Sequence, residues 1–218
     1  MRSSEAPAFR RGERHDLFMD NYLETGLEQL DNGQYEAAVT SFTKALRLAL
    51  GDLAEILMYR AMAFAGVGDY PRAYADFDEC LNINDGFAPA WNERANTLKT
   101  QEKYRDALQD YSTALMLDIE FLEARYNRAL CYEELGMYAE AAHDLNLVIS
   151  QNPGIAPAYE ARARMKAQLR DYDEAITDYQ RYLRMGGGRE FDNQSEIQAT
   201  ILTLRARKWF ARLVRLRK

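Results

Sequence analysis

Five tyrosines, Tyr35, Tyr70, Tyr104, Tyr138 and Tyr172, follow one another at intervals of 35, 34, 34 and 34 residues. Each opens a segment of one design: "YEAAVTSF", "YPRAYADF", "YRDALQDY", "YAEAAHDL" and "YDEAITDY". A period of this length marks a supersecondary unit that cannot bury its apolar face alone and must stack on its neighbours. The repetition runs over residues 19 to 189, more than three quarters of the 218-residue chain, so it constrains the architecture before any local reading is made.

Each unit holds two apolar-periodic segments of about a dozen residues joined by a short polar turn, which predicts an antiparallel helix hairpin. Trp91, Ala95 and Leu98 recur at steps of four and three and mark one face of a first helix; Ala107, Tyr111 and Ala114 do the same for a second. Ala38, Ala73, Ala107, Ala141 and Ala175 hold one equivalent place. An alanine there lets two helix backbones come close, while Phe42, Phe77, Tyr111, Leu145 and Tyr179 fill the space beside it.

At these residues the chain resembles a tetratricopeptide repeat array, whose unit carries aromatic, small, tyrosine, alanine, aromatic and proline marks at fixed places. Gly26 fits the small place of the first helix; Ala61, Ala95, Ala129 and Ala163 replace glycine there, and the closing proline survives as Pro153. The resemblance implies an all-α, right-handed superhelix, a solenoid of five hairpins at residues 19–53, 54–87, 88–121, 122–155 and 156–189. A partly disordered extension at 1–18 is expected before it, and a basic amphipathic helix at 190–218 after it.

An arginine recurs at the seventh place of units two to five, with an aspartate sixteen residues on: Arg60 and Asp76, Arg94 and Asp110, Arg128 and Asp144, Arg162 and Asp178. Both places lie equally far from the hairpin turn and therefore face one another across the two helices. The first unit has Thr25 and Ser41 instead, losing both partners together. The expectation is four structural ion pairs at the edge of the core, with a bridge to a neighbouring unit as an option. The alternative is an arginine ladder for a polyanion, which the matched carboxylates argue against.

The resemblance further implies that a protein or peptide segment is held in a concave groove lined by the first helices. The groove places carry Leu23, Leu27, Met58, Met62, Asn92, Asn96, Lys99, Tyr126, Leu130 and Arg164. Asn92 and Asn96 can offer donors and acceptors to an extended backbone, and Met58 and Met62 adaptable apolar contact. The plainer alternative is that the Leu and Met residues pack against adjacent helices and the asparagines only hydrate the surface. The family's grip on a C-terminal carboxylate is not expected, because Leu23 and Leu27 stand where a lysine and an asparagine belong.

Little points to catalysis. Only His15 and His143 could act as imidazole bases, and Cys80 and Cys131 lack metal-ligand spacing and read as small core residues. No phosphate loop, activated nucleophile or metal cluster is legible, so no cofactor is expected. No secretory signal or long apolar run is apparent, which makes the cytosol the default address.

The charge is uneven: +1 over residues 1 to 18, −14 over 19 to 196 and +7 over 197 to 218. The basic tail shows Ser195 and Gln198 at capping-box spacing. Leu202, Trp209, Leu213 and Leu216 follow one stripe, Ile197, Ile201 and Leu204 lie beside it, and Arg205, Lys208, Arg212 and Arg215 form another. Capping the exposed end of the last repeat is its first expected role. The alternatives are recruitment to an anionic membrane or nucleic acid, and self-association into a homo-oligomer.

Overall fold

A computed structural model describes residues 22–48 and 51–216. The extension expected at 1–18 lies outside them, as does the side chain of Arg215. Among the described residues there are twelve α-helices and no strand: α1 (22–31), α2 (Tyr35–Arg47), α3 (Leu53–Val67), α4 (Tyr70–Ile83), α5 (Ala88–Thr100), α6 (Tyr104–Leu117), α7 (Leu122–Glu134), α8 (Tyr138–Gln151), α9 (Ala156–Gln168), α10 (Tyr172–Arg184), the single turn α11 (Gly187–Glu190) and α12 (Gln194–Leu216). They belong to two compact units, one ending at Thr97 and one beginning at Leu98.

Each repeating tyrosine is the first residue of a second helix. Two residues before it the chain passes through the left-handed region, at Gly33, Gly68, Glu102, Gly136 and Arg170. That conformation ends one helix and reverses the chain toward the next, which is why glycine is favoured there. Glu102 (φ 59°) and Arg170 (φ 63°) adopt it with a side chain, at a steric cost of about 1 kcal/mol each. Aspartates supply some helix starts. Asp52 accepts from the amides of Ala54 and Glu55, Asp69 from Arg72, and Asp171 from Glu174.

In the first unit α1 and α2 approach so closely that a Cβ on Gly26 would stand 2.6 Å from the Phe42 ring. Phe42 in turn stacks on Tyr59 of α3 at 5.8 Å between centroids. Leu57 and Ala61 of α3 pack with Ala73, Phe77 and Cys80 of α4. The repeated alanine places are fully buried throughout, so the helices meet at their backbones.

In the second unit Ala129 of α7, Ala141, Leu145 and Val148 of α8, and Ala158, Ala161 and Met165 of α9 share one core. A further core joins Tyr159 and Ala163 of α9, Ala175, Tyr179 and Tyr182 of α10, and Ile197, Ile201 and Leu204 of α12. The Tyr182 hydroxyl donates to Asn193 Oδ1 at 2.9 Å, fixing the chain just before α12. Because α12 begins at Gln194, Ser195 lies inside its first turn and is not the cap that its spacing to Gln198 suggested. Cys80 and Cys131 are buried, and burial pushes both thiols up to about 11.

Candidate functional site

At Arg60, Arg128 and Arg162 the arginine and aspartate places meet across the hairpin. Arg60 donates through Nε and Nη2 to both carboxylate oxygens of Asp76 at 2.7 Å. Arg128 holds Asp144 the same way at 2.7 and 2.9 Å, and Arg162 holds Asp178 at 2.7 Å twice. In each case Nη1 reaches back to the preceding second helix, to Thr43 at 3.4 Å, Ser112 at 3.1 Å and Asn146 at 2.8 Å respectively. Arg94, in the first unit, donates through Nη1 to Asp78 at 2.8 Å; Asp110 is buried in the second unit. The four acceptors Thr43, Asp78, Ser112 and Asn146 are themselves 35, 34 and 34 residues apart, so the backward bond recurs with the repeat.

The parallel-bond geometry matches the planar guanidinium to the carboxylate. Burial alone would lower the Arg128 pKa, but the hydrogen bonds and charge of Asp144 outweigh it and raise it. The Arg162 pKa is raised, first by its hydrogen bonds to Asp178. Arg60, Arg128 and Arg162 thus direct their charge into the fold, away from a polyanion in solvent.

The first-helix wall is less uniform than its places suggest. In the first unit Leu23 and Leu27 of α1 and Met62 of α3 are half-buried, resting on the core with one side toward solvent. Met58 is a core residue. Asn92 differs most from expectation: it is 0% exposed, and its Nδ2 donates to Glu93 at 2.9 Å. Its place faces inward because helix periodicity gives direction but not depth. Asn96 is half-buried and donates to the same carboxylate at 3.2 Å.

In the second unit the wall is built by α7 and α9, with Lys99 at the end of α5. Lys99 donates to Asn127 Oδ1 at 3.2 Å. Tyr126 and Leu130 of α7 are half-buried, one helical turn apart. Arg164 of α9 donates through Nε and Nη2 to the two oxygens of Glu133 on α7, both at 2.8 Å, and through Nη1 to Glu160 one turn earlier. Those bonds, Glu133's above all, hold the Arg164 pKa well above its ordinary value. Burial raises the Tyr126 pKa; Arg164 opposes this, and Glu160 and Glu133 add to it. Tyr179 is pushed up to about 12, by burial first and Glu160 second. Arg164 is legible in the sequence as a groove residue, but its fork is not. The available signal was opposite charge at the twelfth place of one unit and the ninth of the next, 31 residues apart in Glu133 and Arg164.

The tail helix separates into two faces. Ile197, Ile201 and Leu204 are buried against α9 and α10. Leu202, Trp209, Phe210 and Leu213 stand in solvent, as do Arg205, Lys208 and Arg212, although Lys208 reaches the Asp173 carboxylate at the start of α10. No helix among the described residues is long and apolar enough to cross a membrane. Among the same residues no group of three or more His, Cys, Asp or Glu could hold a metal ion.

Models of the family described as "Tetratricopeptide repeat" match residues 23–89, 92–154 and 156–185. The "Hsp70-Hsp90 organizing protein 3" of Arabidopsis thaliana is 29% identical over 92 residues, 42% of this chain and 16% of that protein. The "Peroxisomal targeting signal receptor" of Saccharomyces cerevisiae is 30% identical over 98 residues, 45% of this chain and 16% of that protein. The chain therefore spans about one sixth of the length of either relative. Among solved structures, Pseudomonas aeruginosa PilF superposes with a TM-score of 0.72 at 21% identity, covering 87% of this chain and 90% of that one. MamA from Desulfovibrio magneticus RS-1 gives 0.66 at 19% identity, with 78% and 96% covered. At such identities the likeness is one of fold.

Proposed function

Because the chain belongs to the tetratricopeptide repeat family, we propose that it is a non-catalytic adaptor whose α7 and α9 wall holds a protein or peptide segment. The observation that carries this reading is the fork of Glu133, Arg164 and Glu160 beside Tyr126 and Leu130. Its side chains are already fixed by their mutual bonds, so a partner would dock without the entropic cost of ordering them. Two carboxylates share one guanidinium and retain unfilled lone pairs, which suit lysine, arginine or backbone N–H groups. Tyr126 adds a rigid aromatic edge of the kind that dominates binding energy, and Leu130 an aliphatic contact beside it.

The half-buried Leu23, Leu27 and Met62 of the first unit offer a separate apolar strip for the same kind of segment. Relatives named as an organiser of Hsp70 and Hsp90 and as a receptor for a targeting signal support an adaptor reading over a catalytic one.

A test is to select displayed peptides on the folded protein and then measure their affinity for a Tyr126→Ala, Leu130→Ala variant and for Arg164→Glu. Binders should weaken about tenfold or more in the first variant, with circular dichroism showing that helicity is kept. A selection without binders, or binders indifferent to both variants, rejects the reading.

A further inference from the structure

Helix α12 carries two apolar seams with the same spacing. Ile197, Ile201 and Leu204 recur at steps of four and three and are buried against α9 and α10. Leu202, Ala206, Trp209 and Leu213 recur at steps of four, three and four, five residues out of phase, which at 3.6 residues per turn sets them on nearly the opposite side. Trp209 is 64% and Phe210 65% exposed, and Leu202 and Leu213 are exposed with them. The chain has no acidic residue from 197 to 218, and Arg205, Arg207 and Arg212 stand in solvent on the flanks between the two seams.

We propose that the outer face of α12 docks on an anionic lipid surface, lying flat with Trp209, Phe210 and Leu213 at the boundary between headgroups and acyl chains. Three other surroundings are open to such a face, and charge and polarity separate them. Water leaves four large apolar side chains unburied along one helix. Nucleic acid would satisfy the arginines while leaving the tryptophan, phenylalanine and leucines in solvent. A second copy would bury the apolar seam but set the arginines of one helix beside those of the other, with Glu196, in the first turn and away from them, the one acidic side chain of α12. An anionic bilayer interface accepts both features at once: indole and phenyl rings enter the headgroup region, and guanidinium groups pair with lipid phosphates and carboxylates. The inner seam stays docked on the repeats, so the helix need not leave its place to bind.

The test is co-sedimentation of the full chain with vesicles of phosphatidylcholine alone and of phosphatidylcholine mixed with phosphatidylserine. The protein should pellet with the mixed vesicles only, less so as salt is raised. Trp209→Ser with Phe210→Ser should weaken binding about tenfold or more, from lost apolar contact. Arg205→Gln, Arg207→Gln and Arg212→Gln should each cost roughly fivefold. All of these side chains are exposed, so circular dichroism and the urea midpoint should stay at the wild-type values. A wild type that remains in the supernatant with both vesicles overturns the proposal, as does pelleting that the Trp209 and Phe210 changes leave intact. So does light scattering that shows a dimer broken by those changes, or binding to duplex DNA in place of vesicles.

Discussion

Arg162 and Asp178 are joined by two parallel hydrogen bonds of 2.7 Å, and the remaining guanidinium nitrogen donates to Asn146 in the helix before. Asp178 is buried, while Arg162 keeps part of its side chain in solvent. Such a pair gains little over an apolar replacement of both partners, but removing one strands the other charge. Asp178→Ala should cost about 3 kcal/mol in urea unfolding, and adding Arg162→Leu should recover part of it. A single-variant cost of about 0.5 kcal/mol would mean that the pair behaves as an exposed one.

Glu102 occupies a left-handed turn place that Gly33, Gly68 and Gly136 fill in other repeats. Glu102→Gly should relieve steric cost in the folded state and loosen the unfolded chain, with a net gain of about 0.5 kcal/mol. The urea midpoint measures it, and a loss would show that the Glu102 side chain contributes more than its backbone costs.

Ile201 and Leu202 are neighbours in α12 with opposite surroundings, one buried against the last repeat and one in solvent. Ile201→Ala should destabilise by about 2 to 4 kcal/mol, and Leu202→Ala by about 0.5 kcal/mol or less. Thermal unfolding of the two variants side by side checks both. Equal losses would mean that α12 is turned otherwise.

Burial raises Cys80 and Cys131 to about 11 and Tyr179 to about 12. Each group holds its proton more tightly folded than unfolded, so its contribution is complete below the unfolded pKa and is lost as pH rises through the folded one. Stability should therefore fall between about pH 9 and pH 12. Neither thiol should react with a disulfide reagent until urea opens the fold. Replacing both cysteines with alanine should flatten the decline below pH 11, leaving the portion due to Tyr179 and the other tyrosines raised by burial, Tyr126 among them.

The hairpins were legible because the tyrosine, alanine and aromatic marks are bound to backbone approach distances that tolerate few alternatives. Arg60, Arg128 and Arg162 could be matched to their aspartates for the same reason: places level with each other across a turn must meet. Depth was harder to read. Asn92 and Met58 share helix phase with Asn96 and Met62 yet are buried, since phase is set within a helix and depth by what packs over it. In α12 both seams have the apolar spacing of a packed face, and only the structure shows that Ile197, Ile201 and Leu204 bury while Leu202, Trp209 and Leu213 do not. The Glu133 and Arg164 fork joins different repeats, so no spacing within one unit reveals it.

The arginine clasp has a direction. Arg128 and Arg162 each spend two bonds within their own hairpin and one toward the hairpin before, whose acceptor, Ser112 or Asn146, is uncharged. At this place a hairpin lifted out whole therefore keeps its guanidinium paired and asks its new neighbour for a single small hydroxyl or amide, whereas the Arg164 bonds to Glu133 cross between hairpins and would be lost. Duplication or exchange of a whole unit can therefore lengthen or shorten such a chain without parting Arg128 or Arg162 from its aspartate.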